Sequence, residues 1–260
     1  MAKNTKNQAS ERTSMQLLSE AELESLLRYV KSKADLARQR GASRAIIDEL
    51  IVILLANAGL RPNELCNLNI ADLPLSHGQN ALRIRDANGN VTRQIDVNPN
   101  IAAYLARFVK LYREGAEPDE PLLINEWGSR FSYMSLYSKI KNIGRKAGIG
   151  RLHPHMLRRT WLVKLYSAEQ DLRLVQKQAG HASIKTTAGY VKTTLDHERQ
   201  IKTTDDADSS ALDFLDTSLE AEKQISKCEA CGRSVFEHAA KKIDSGQILC
   251  PDCLKYFRNR

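Results

Sequence analysis

The chain has 260 residues, 42% of them apolar, and a formal net charge of +8. That length and apolar share suit one large domain or two smaller ones with a real core, and exclude a disordered or fibrous chain. The apolar runs carry charges and are too short to span a bilayer, and the polar start "MAKNTKNQASERTSMQ" lacks the apolar stretch of a secretory leader, which places the protein in the cytoplasm.

The first 17 residues read as a mobile tail. From Leu18 to Ser32, "LSEAELESLLRYVKS" carries Ser19 with Glu22 three residues on, a capping box on an amphipathic helix. A second helix over 43–58 holds Ile46, Ile47, Leu50, Ile53 and Leu54 and stops at Gly59. Pro62 suits the first turn of a helix over 62–69. In "ALRIRDANGNVTRQIDV", Leu82 and Ile84 alternate with Arg83 and Arg85, Ile95 and Val97 alternate beyond, and Asn88-Gly89 lies between; this is a β-hairpin. Helices follow near 99–114, 132–148, 155–167, 169–179 and 183–190. Residues 204–226 are an acidic linker with a possible amphipathic helix, and 227–260 form a small cysteine module.

Charge is unevenly spread. Residues 205–260 hold 8 basic and 11 acidic residues, a net of −3, so the remainder carries +11. A basic body with an acidic linker points to a polyanionic partner, most simply nucleic acid.

Several polar residues fall at element ends. Arg61 stands at the corner between two helices; His155 and Arg158 lie at i and i+3 and share a helix face; Gly180 ends a helix and His181 follows it; Ser183 is placed to cap the next helix, which carries Tyr190. Two arginines, two histidines and a tyrosine are a suitable kit for a phosphodiester. Arginine forks grip nonbridging oxygens, histidine moves protons, and a tyrosine hydroxyl attacks phosphorus once its proton, held with a pKa of about 10, is managed. Each residue taken singly has an ordinary structural reading, and the spacing is what sets the group apart.

"AGLRPNELCNLNIADL", "HPHMLRRTWLVKLY" and "QAGHASIKTTAGYVKTT" resemble, in order and separation, the three signature boxes of the tyrosine recombinases, the phage integrase family. The resemblance covers about 18–200 and implies a catalytic domain over 18–203, mainly α with a small antiparallel β-sheet, that grips double-stranded DNA. It implies Tyr190 as the nucleophile forming a 3′-phosphotyrosyl link, Arg61 and Arg158 on the scissile phosphate, His155 and His181 completing the pocket, and Glu64 buttressing Arg61. Arg85, Arg93, Arg159 and Lys185 are the expected further DNA contacts. No cofactor is implied for the chemistry, and four protomers on two duplexes are the implied assembly.

Two departures stand out. The family carries a lysine on the hairpin turn as general acid, but Leu82 to Val97 contains none, and arginine is a poor acid. Lys185 or a hairpin arginine is left to take the role. The first helix of the catalytic unit begins near residue 18, which matches short members without a separate clamp domain, such as fimbrial phase-switch recombinases. A DNA-binding regulator or architectural protein with a decayed site is the competing reading, and the missing lysine favours it.

The tail holds Cys228, Cys231, Cys250 and Cys253 as C-x2-C-x18-C-x2-C. Four thiolates in two tight pairs suit tetrahedral zinc in a zinc-ribbon-like or treble-clef-like module, with two disulfides as the alternative and His238 as a spare ligand.

Overall fold

A computed structural model describes residues 17–189 except 77, together with four short strands between 225 and 249. Helix α1 (Glu20–Gln39) starts on the expected capping box: the Ser19 side chain accepts from Glu22 N, and Glu22 reaches back to Ser19 N. It runs past the predicted end at Ser32, because Ala34 and Ala37 are small enough to bury against the neighbouring helix, while Leu36, the one large apolar residue of that stretch, is exposed.

Helix α2 (Arg44–Asn57) is the core of the molecule. Leu50, Ile51, Leu54 and Leu55 are fully buried, so it is apolar nearly all round, as an enclosed helix must be. It packs against α1 and, on another side, α6 (Pro154–Glu169). Its end is set by Gly59, whose φ of +55° admits no ordinary side chain and whose absent Cβ leaves room for the Trp161 ring. A Cβ at that position would lie 1.9 Å from the ring. Helix α3 (Pro62–Asn67) follows, with Pro at its first position. It ends earlier than the predicted residue 69 and leads into a 3-10 turn over Ile70–Asp72.

The hairpin is β1 (Ala81–Arg85) against β2 (Val91–Asp96), antiparallel, with Leu82 opposite Ile95 and Ile84 opposite Arg93. A bulge after Ile84 brings Val91 opposite Arg85. At the tip, the Asp86 carboxylate accepts from the backbone N–H groups of Asn88 and Asn90, and Gly89 takes φ +86°. Helices α4 (Pro99–Tyr112) and α5 (Tyr133–Lys146) follow, joined by a segment that bridges Asn69 to Pro121 and Ile124 to Arg130. Helix α6 runs two residues beyond its predicted end, and Gln170 in the left-handed region with Asp171 as N-cap separates it from α7 (Leu172–Ala179). Residues 184–189 form helix α8. Helix α7 lies along β2, and this contact assembles the site.

In the tail, β3 (Ile225–Lys227) pairs with β4 (Ser234–Phe236) and β5 (Lys241–Lys242) with β6 (Ile248–Leu249), both antiparallel. Tyr190, the expected linker and the four tail cysteines lie outside the described residues. Among the described residues no helix is long and apolar enough to cross a membrane, and no group of metal-ligating side chains occurs.

Candidate active site

Three separated stretches converge. The α2–α3 corner brings Arg61 as the N-cap residue of α3, in an extended conformation. Glu64, one turn on, accepts from the Arg61 backbone N–H at 2.7 Å and from its Nη1 at 2.9 Å. Arg61 Nη2 donates to the Gly180 carbonyl at 2.6 Å. With 41% of its side chain exposed, Arg61 still presents a guanidinium face outward.

The first turns of α6 bring His155 and Arg158. Arg158 is 5% exposed; it donates to the Gly59 carbonyl, and to the Ala179 carbonyl at 2.6 Å, so one guanidinium ties the α2 end to the α7 end. Its Nη2 lies 3.3 Å from His181 Nε2, and its Nη1 lies 4.0 Å from Glu64. His155 is on the exposed side one turn earlier; partial burial, then the charges of Arg159 and Arg158, lower its pKa.

The end of α7 brings His181. Gly180 turns the chain with φ +63°, and Gln176 Nε2 donates to the His181 carbonyl. His181 Nδ1 lies 2.9 Å from the hydroxyl of Thr187, a buried residue on α8. Desolvation, then Arg158, Arg61 and Arg93, push the His181 pKa down to about 4. The ring is therefore neutral at pH 7. Since Nε2 faces an arginine donor, its lone pair belongs there and the proton sits on Nδ1, donated to Thr187.

Arg93, expected as a DNA contact, has a second set of partners that the sequence does not show. From β2 it grips both oxygens of Glu64, Nη1 at 2.7 Å and Nη2 at 2.9 Å, while Nε donates to the Gln178 carbonyl at 3.3 Å. Burial raises the Glu64 pKa, but the hydrogen bonds and charges of Arg93 and Arg61 outweigh it and hold the carboxyl below its ordinary range. Arg85 is likewise engaged within the fold, with Asp72 and the Gly89 carbonyl, bracing the hairpin tip. Arg159 is half-buried, its charge acting on His155 and on His153, the residue that caps α6, and Lys185 is exposed at the start of α8.

Arg61, Arg93 and His181 open into a pocket of about 550 Å³ that Arg173 and Lys177 also line, with no carboxylate among the described residues of its wall. The latter two sit four residues apart on α7, a spacing that the sequence offered but that shows its meaning only once α7 lies against β2. The arrangement suits an anion with several oxygens: forked donors, a neutral imidazole and a cationic rim.

The sequence pattern that defines the phage integrase family matches residues 16–197. The chain belongs to the phage integrase family. It is 34% identical over 157 residues to the tyrosine recombinase XerA of Thermococcus kodakarensis, covering 59% of this chain and 53% of that protein. It is 31% identical over 179 residues to XerC of Chromohalobacter salexigens, covering 68% and 56%. The crystal structure of XerA recombinase superimposes with a TM-score of 0.57 at 26% identity, covering 73% of this chain and 66% of that one. XerH bound to its difH substrate in a pre-cleavage complex gives 0.55 at 27% identity, covering 71% and 52%. The chain thus spans a little over half the length of the relatives it matches.

Proposed function

We propose that this integrase-family chain is a site-specific DNA recombinase that cuts and rejoins duplex DNA through Tyr190. The observation that carries the reading is the convergence of three distant stretches: Arg61 and His181 line one cationic pocket, and Arg158 is buried directly against His181. The Tyr190 oxygen attacks the scissile phosphorus, the bond to the 5′-oxygen breaks, and the 5′-hydroxyl leaves with a proton. The phosphotyrosyl bond conserves the energy for the reverse attack. Arg61 and Arg158 hold the charge that develops on the nonbridging oxygens. His155 hydrogen-bonds the phosphate and moves the tyrosine's proton, while neutral His181 holds the Arg158 fork in place. Arg159 and Lys185 reach flanking phosphates, and protomers associate on the DNA.

The leaving oxygen needs a proton that the hairpin does not supply. Lys177 is the lysine on the pocket wall, and it joins Lys185 as a proton donor to test. A suicide substrate that traps the covalent adduct decides the central reading. Tyr190→Phe should abolish the adduct and leave DNA affinity nearly intact; an adduct persisting in that variant removes Tyr190 from the role. Tight specific binding with no adduct from the unaltered protein, on ordinary or 5′-phosphorothiolate DNA, replaces the enzyme with a DNA-binding regulator.

The tail is proposed as a structural zinc module. Cys228 and Cys231 fall between β3 and β4, and Cys250 follows β6 directly, so each CxxC pair adjoins a hairpin, and four thiolates match zinc's tetrahedral preference. About one zinc per chain is expected by the four-ligand rule; metal-free protein with two disulfides from reducing lysate overturns it.

A further inference from the structure

We infer that Arg93 is a positioning residue for the cleavage reaction, acting through Glu64 on Arg61, and not a contact to DNA. The inference rests on the recombinase reading above. Each nitrogen of the Arg93 guanidinium has an acceptor in the protein: two on Glu64, one on the Gln178 carbonyl. Its side chain is 12% exposed, against 41% for Arg61. Both arginines line the pocket, but Arg61 is the one with a guanidinium largely open to it, while the Arg93 nitrogens are all turned to acceptors of the protein.

The chain of contacts is specific. Glu64 also holds the backbone N–H and Nη1 of Arg61, so the carboxylate fixes both where that residue starts and where its fork lies. Without Arg93, each Glu64 oxygen keeps only its bond from Arg61, and nothing on β2 then holds the carboxylate and Arg61 in place. Gly180 supplies the third wall: a Cβ at that position would lie 2.8 Å from the Arg93 guanidinium, so the bare glycine is what lets the fork lie flat against the α7 end. Arg61 donates to the same glycine's carbonyl. Arg93 therefore sets the hairpin, the α3 start and the Gly180–His181 corner in one register. A misplacement of about 1 Å at such a group lowers a rate by about 10²-fold.

The test uses the full chain, a suicide substrate and guanidinium ion. In Arg93→Ala, adduct formation should fall by about 10²-fold while the salt slope of DNA binding stays unchanged. The emptied space opens onto the pocket, so added guanidinium, at concentrations far below those that unfold proteins, should restore much of the rate. Methylammonium, which has charge but no fork, should not. Arg93→Lys is the companion variant: it keeps the charge, and cleavage should remain low. A salt slope lower by about one unit marks a lost phosphate contact and overturns the proposal. So does Arg93→Lys cleaving at the unaltered rate, or a defect in Arg93→Ala that guanidinium leaves untouched. Absence of adduct from the unaltered protein is a different result, and it strikes the recombinase reading itself.

Discussion

Two glutamates on neighbouring helices meet arginines, and they do opposite work. Glu49, midway along α2, is 4% exposed and pairs with Arg38 of α1 while accepting from the Tyr104 hydroxyl of α4 at 3.0 Å. Burial raises its pKa, and the single arginine does not reverse that. Glu64 meets three arginines, and its pKa is held down. At Glu49 one arginine, shared with Asp35, answers the buried carboxylate, no positive charge is left over, and three helices are fastened together. At Glu64 three positive charges surround one negative, a surplus tolerable only because Arg61 reaches solvent. A balanced pair is a brace. A surplus beside an open pocket is a site prepared for an anion.

Glu49→Ala should give the largest effect, because it takes the buried carboxylate from both Arg38 and the Tyr104 hydroxyl and leaves the Arg38 charge to the half-exposed Asp35. A loss of about 3–5 kcal/mol in folding free energy is expected from breaking such a pair, read by urea unfolding. The double variant Arg38→Met, Glu49→Leu should recover most of it, since an apolar pair of similar volume carries no desolvation penalty. Failure to recover would make Glu49 more than a brace.

Glu64→Gln should act on chemistry first. The three guanidiniums lose the charge that orders them, and adduct formation should slow by about 10²–10³-fold, as when a preorganised electrostatic group is removed. The check is the single-turnover adduct rate. A variant that unfolds like Glu49→Ala but cleaves normally would erase the distinction.

Acid should separate the regions again. The His181 pKa is about 4 in the fold against 6.5 ordinarily, so the unfolded chain binds the extra proton first. Its contribution to stability is therefore full above about 6.5 and is lost as pH falls from there to about 4. His181→Gln should remove that part of the slope, measured by urea unfolding across the range, while Glu49→Gln should keep it. Glu64, with its lowered pKa, gives up its contribution only at more acid pH.

The exposed Arg28–Glu24 pair on α1 supplies the lower limit. Both side chains are more than half exposed, and Glu24→Gln should change stability by no more than about 0.5 kcal/mol. A larger loss would mean that exposed pairs count here as buried ones do.

What the sequence made legible follows from how local each signal is. The capping box at Ser19, the stop at Gly59, Pro62 and the alternation around Asn88-Gly89 are written within a few residues, and each element stands where they put it. The spacing of His155 and Arg158 likewise needed only the helical period. Arg93 was opaque because its partner is 29 positions away, and a lone arginine in a strand reads as a solvent or DNA contact. Glu49 was hidden inside an apolar run, where it and the adjacent Asp48 look like the solvent face of the helix; Arg38 and Tyr104 appear beside Glu49 only after three helices pack. The length of α1 was missed because alanines carry little periodic signal, although they bury well.

The hairpin register has a consequence for where this chain tolerates changes of length. Side chains alternate faces along β2, and Arg93 shares the face of Ile95, opposite Ile84. One residue added or lost between 91 and 96 would turn Gln94 toward Glu64 and Arg93 away from it, dismantling the pocket at a stroke. The tip over 86–90 is exposed and closed by its own Asp86 turn, so residues grafted there displace nothing behind the bulge. A peptide tag or fluorophore loop inserted at Asn88-Gly89 is therefore compatible with an intact pocket, whereas the six residues of β2 have a length that drift cannot alter.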